Sequence, residues 1–163
     1  MQIAARNGSL TLLKRLIDYG GNIHTTGPDG ESLFFIAGRN GHLNVLMWLL
    51  ETGSDPLATN DLGQTLAHVA ARRGELLVLH FLHFICHDNF NTQDHDGKTP
   101  LQSVPRHGPE NVSEVKKFLN MVTSPPETRD LFTFALQSDM DALRRLLIQS
   151  GLTSKYTDLG MTI

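Results

Sequence analysis

The chain has 163 residues, of which 40% are hydrophobic and 19% charged, and its net charge is −3. Such a chain buries a sizeable core, which excludes a disordered polypeptide. Its weakly acidic balance gives no general attraction to nucleic acid or to an anionic membrane surface, so neither is an expected partner.

Met1-Gln2-Ile3-Ala4-Ala5-Arg6 has no apolar segment after its basic residue and is not a signal peptide. Met1 to Gly8 reads instead as the second half of a helix. Terminal repeats of a stack carry polar outer faces, and Met1, Ile3, Met161 and Ile163 do not supply them. The expectation is a piece excised from a longer protein.

From Gly8 onward the glycines set a period. Gly8, Gly41 and Gly74 are 33 residues apart, as are Gly20 and Gly53, and Gly30, Gly63 and Gly97 are spaced 33 and then 34. The residues between them agree. Gly30 is followed by Glu31-Ser32-Leu33-Phe34-Phe35-Ile36-Ala37, Gly63 by Gln64-Thr65-Leu66-Ala67-His68-Val69-Ala70-Ala71, and Gly97 by Lys98-Thr99-Pro100-Leu101-Gln102. Thr65 or Thr99 can cap a short helix, with Pro100 in its first turn. Gly41 and Gly74 supply a left-handed turn residue between two helices. A second helix follows in each unit, with an apolar stripe of Leu43, Val45, Leu46, Leu49 and Leu50, then of Leu76, Val78, Leu79 and Leu82. No apolar run reaches the ~18 residues of a membrane span.

These segments resemble the ankyrin pattern G-x-T-P-L-H-x-A-A-x-x-G-H, whose repeat is about 33 residues long. The resemblance covers nearly the whole chain. It implies an all-α ankyrin-repeat solenoid of stacked helix–turn–helix units, with short β-hairpin fingers formed by 55–61 and 89–96. Residues 1–122 hold these repeats, the first incomplete and the fourth degenerate. In the fourth, Val104-Pro105 stands where an alanine pair belongs, so the first helix is expected to be short or bent before a second from Val112 to Val122. Residues 123–163 read as a linker, a degenerate fifth repeat over 131–147 and the opening of a sixth at 158–163.

Several residues invite chemistry. His80, His83 and His87 with Cys86 offer zinc-type donors, but His87 falls past the expected helix end, which spoils a three-ligand face. His68 holds the pattern's histidine position, where its ring bonds backbone groups of adjacent turns. Cys86, the only cysteine, excludes an internal disulfide and points to a reducing compartment, the cytosol or nucleus. It sits near a helix C-terminus, whose negative end gives no help toward thiolate. No phosphate-binding glycine loop is present.

The expectation is therefore a protein-interaction module with no intrinsic catalysis, no cofactor, no metal and no small-molecule substrate, whose partner is another protein. The alternatives are a regulatory or substrate-recruiting ankyrin domain of a larger enzyme, or a binding protein resembling the inhibitors of NF-κB. The resemblance implies binding through finger tips, here His24, Thr25, Thr26, Leu57, Thr59, Asn60, Thr92, Gln93 and His95. The first-helix residues Arg39, Asn40, Arg72 and Arg73 would line a concave groove with them. Aligning the second helices puts Lys14-Arg15, Met47-Trp48 and His80-Phe81 at equivalent, solvent-facing sites, with Trp48 and Phe81 as an exposed aromatic pair on adjoining repeats.

Overall fold

A computed structural model describes residues 1–88, 90–106 and 110–124. Met1–Thr123 forms one compact unit. The repeats expected over 131–147 and 158–163 lie outside the described residues.

The described residues form seven helices: α1 (Gln2–Arg6), α2 (Leu10–Asp18), α3 (Leu33–Gly38), α4 (Leu43–Glu51), α5 (Leu66–Arg73), α6 (Leu76–Phe84) and α7 (Val112–Thr123). The first six are antiparallel pairs in three successive units. Short inner helices pack on one another (α1 on α3, α3 on α5), and each packs on its own outer helix.

The joint within each pair repeats with the glycine period. Gly8, Gly41 and Gly74 all have positive φ, between 67° and 79°. The next residue's N–H then reaches back to the helix just ended: Ser9 to Ala4 O (2.9 Å), His42 to Ala37 O (3.1 Å) and Glu75 to Ala70 O (2.9 Å). A left-handed residue is what returns the chain to those open carbonyls.

The inner helix α3 is apolar all round because it packs against α1 on one side and α5 on the other. Every residue of α3 is buried, and Ala4, Ala5, Ala37, Ala70 and Ala71 are at most 2% exposed. Small side chains here set the spacing between units. At Gly38 the approach is closest, since an added Cβ would overlap the Leu66 methyls of α5. The end helix α2 buries only Leu13. By contrast α6 buries a continuous run from Val78 to Leu82.

Two expectations are corrected. The fourth unit has turns over 100–103 in place of a first helix, and among the described residues no helix lies between α6 and α7. Val104 is nonetheless buried, and α7 supplies a stripe of Val112, Val115, Phe118, Leu119 and Val122. Pro105 lacks the N–H that a continuing helix would use. The fingers are tight turns rather than two-stranded ribbons, with one isolated bridge, Thr26 to Ser32, among the described residues.

The 34-residue glycine interval has a location. Helices α4 and α6 are both nine residues long and in register. Gly53 has φ 92°, but 33 residues on it is not Cys86 that turns left-handed; it is His87, with φ 56°. The inserted residue therefore lies just after α6.

Candidate protein-binding groove

Each finger turn is closed by a backbone bond across its base, Gly27 N–H to Glu31 O (2.8 Å), Asn60 N–H to Gln64 O (3.0 Å) and Asp94 N–H to Lys98 O (2.9 Å), and by a second from the turn glycine back to the first of those residues. In the later two a side chain fixes the loop from inside. Asn60 Oδ1 accepts from the N–H groups of Leu62 (3.0 Å) and Gln64 (2.9 Å), and Asp94 Oδ1 from those of Asp96 (3.0 Å) and Lys98 (2.9 Å). The Lys98 N–H leads the bonds that hold the Asp94 carboxyl below its ordinary range, because they favour the charged form.

Successive tips are stitched together. Asp61 N–H donates to Asp29 O at 3.1 Å, and His95 N–H to Leu62 O at 3.0 Å. This close approach explains Gly30 beyond its φ of +72°, since a Cβ there would overlap the Asp61 carboxylate.

Between the first two tips and the C-terminal ends of α3 and α5 lies a groove of about 320 Å³. The fingers contribute Asp29, Asn60, Asp61 and Leu62; the helices contribute Arg39, Val69, Arg72 and Arg73; the turn-closing Glu31 and Gln64 complete the lining. Charge is divided across it, with carboxylates on the finger wall and guanidinium groups on the helix wall. Glu31, only 8% exposed, is bonded to Arg39 Nη1 at 2.8 Å. Leu62 is 61% exposed and gives the groove an apolar spot.

The three joined helix pairs and their fingers coincide with a family match. A model of ankyrin repeats, in three copies, matches residues 1–84. The chain belongs to the ankyrin-repeat family. No curated protein matches it.

Within this ankyrin stack the structure brings Asn60, Arg39, Arg72 and Arg73 to one groove. It does not bring the other candidate tip residues there. His24, Thr26, Leu57, Thr59, Thr92, Gln93 and His95 are exposed, and Thr25 is half-buried, but none lines the groove. Asn40 is turned to its own helix, donating from Nδ2 to Ile36 O at 2.7 Å. Residues that the sequence reading misses are Asp29, Glu31, Asp61, Leu62 and Gln64, which flank Gly30 and Gly63. The tips sit at those glycines, about one turn later than assigned.

The exposed aromatic pair is corrected. Phe81 is 0% exposed, with its ring 6.4 Å from that of Phe34 of α3. Trp48 is half-buried. Lys14 and Arg15 are exposed because α2 ends the described stack, whereas α6 is covered from both sides.

The histidines are absorbed into packing. The His80 ring stands edge-on to Phe118 at 4.4 Å, and His83 stacks on Phe90 at 5.8 Å. His83 Nδ1–H donates to Asp88 O at 3.2 Å. Together these rings tie α6, the connection after it and α7. His68 joins the third and fourth units: its Nδ1 accepts from Thr65 N–H (3.1 Å) and lies 2.9 Å from Thr65 Oγ1, while Nε2–H donates to Lys98 O at 2.9 Å. A backbone donor on one nitrogen and a carbonyl on the other fix the tautomer. Burial, and after it the Asp88 carboxylate, pushes the Cys86 thiol up to about 12. It stays protonated at neutral pH, which removes its nucleophilicity.

Proposed function

We propose that this ankyrin stack is a protein-interaction module that grips a segment of another protein in the groove between the finger tips and the ends of α3 and α5. The observation that carries the reading is the convergence of Leu62, Arg72 and Arg73, all exposed, on one concave surface built from two adjacent repeats. An apolar spot ringed by charged and hydrogen-bonding groups is the composition of a recognition surface. Repeat stacks present such surfaces on a rigid frame. The same reading assigns the chain no catalysis of its own, and the single reduced cysteine supports action in the cytosol or nucleus.

Affinity capture with the full chain, followed by mass spectrometry, tests this when two variants are run beside it. Leu62→Ser alters the groove, and Leu77→Ser alters the outer face of α6, where Leu77 is 43% exposed. A partner retained by Leu77→Ser and lost from Leu62→Ser supports the groove. The reverse pattern overturns it.

A further inference from the structure

The arginines at the ends of α1, α3 and α5 keep the repeat period, and the fourth unit, which has no inner helix among the described residues, carries one at the matching place. Arg6, Arg39 and Arg72 are 33 residues apart, and Arg106 follows 34 later, after the same insertion that displaces Gly97. The residue closing each finger turn is also periodic, but its chemistry changes along the stack: Glu31, Gln64, Lys98. Glu31 neutralises Arg39 at 2.8 Å. Gln64 has no charge to offer Arg72. Lys98 is itself a cation, paired with Asp96 at 3.0 Å.

The consequence is local. Arg72 and Arg73 are exposed and, among the described residues, neither has a salt-bridge partner. They stand on the helix wall of the groove, beside Leu62. Asp29 and Asp61 stand on the finger wall. A carboxylate entering the groove is attracted to one wall and repelled by the other.

We infer that the groove takes an acidic segment of a partner protein, with carboxylates held by Arg72 and Arg73 and an apolar side chain over Leu62. This rests on the reading of the groove as the binding surface. Guanidinium groups match carboxylates in geometry as well as charge. A polyanionic nucleic-acid strand fits less well, because it sets a phosphate at every nucleotide against Asp29 and Asp61, whereas a peptide can place its carboxylates on the Arg72 and Arg73 side alone.

The test is fluorescence anisotropy of the full chain with a labelled peptide repeating Glu-Leu-Ser, beside versions in which Gln or Lys replaces Glu. The Glu peptide is expected to bind most tightly, with its advantage shrinking as salt rises. The Arg72→Gln, Arg73→Gln double variant is expected to weaken it on the order of tenfold, from two exposed pairs together. Glu31→Gln releases Arg39 and is expected to strengthen it about two- to fivefold. Thermal melts confirm that each variant is folded.

Equal binding of the three peptides overturns the inference. So does unchanged affinity in the double variant, or tighter binding of a labelled oligothymidylate than of the Glu peptide. The Leu62→Ser capture comparison does not depend on charge. The acidic preference can therefore fail while the groove stands, and a failed groove is seen separately.

Discussion

Replacing His68 with alanine tests how the third ankyrin unit is tied to the fourth. The substitution removes the acceptor for Thr65 N–H and the donor to Lys98 O. Thr65 is 2% exposed, so its orphaned N–H costs about 1–3 kcal/mol. The Lys98 carbonyl keeps its bond from Asp94 N–H (2.9 Å), so losing the second bond costs only about 0.5–1 kcal/mol. Loss of the buried ring, with His68 1% exposed, adds roughly 1–2 kcal/mol. The sum is about 2.5–6 kcal/mol, a large fraction of the roughly 5–15 kcal/mol by which domains are stable. Urea denaturation followed by circular dichroism reads it directly. Two further variants separate the contributions. His68→Phe keeps a buried ring, as Phe35 does at the same position one unit earlier, and removes both hydrogen bonds without leaving a cavity. His68→Gln restores a side-chain acceptor for Thr65 N–H and recovers part of the stability. A His68→Ala variant within about 1 kcal/mol of the parent would refute the bridging role.

Gly38→Ala adds a methyl against Leu66 in the α3–α5 contact, and equilibrium denaturation is expected to show a loss of about 1–3 kcal/mol. Phe81→Ala is expected to lose about 3–5 kcal/mol as a core truncation, and Trp48→Ala, half-buried, less than that in the same urea titration. Asp88→Asn keeps an acceptor for Phe90 N–H (2.8 Å) and removes a carboxylate whose pKa burial raises, chiefly by desolvation. Because the folded pKa lies above the unfolded one, the native chain gains stability as pH falls through it. The variant is therefore expected to melt higher than the parent at neutral pH, with the advantage fading on acidification. A constant difference across pH would count against this assignment. Asp94 has the opposite sign: its lowered pKa contributes stability that is lost as pH falls through the folded value.

What could be read without coordinates follows from what is local. The glycine period locates the helix pairs because each Gly41-type joint is a property of a few consecutive residues. The same period places Arg39, Arg72 and Arg73 at helix ends, and Asn60 in a finger. The tips themselves were harder to place. Asn60 and Asp94 close their turns around the following glycine, so the tips fall at Asp61-Leu62 and His95-Asp96, later than Leu57, Thr59, Thr92 and Gln93. The burial of Phe81 depends on partners distant in sequence: Phe34 of α3 lies against its ring, and Phe118 of α7 covers the neighbouring His80 of α6. The arginine series was visible in the sequence. The drift from Glu31 to Gln64 to Lys98 became informative only once Glu31 was seen to neutralise Arg39.

Site-specific photocrosslinking tests the binding surface most directly. With a benzophenone side chain at position 62 or at position 77, and the captured partner present, irradiation is expected to yield an adduct from the finger-tip site and none from the outer helix. Adducts from position 77 alone would place the contact on the opposite face and contradict the account.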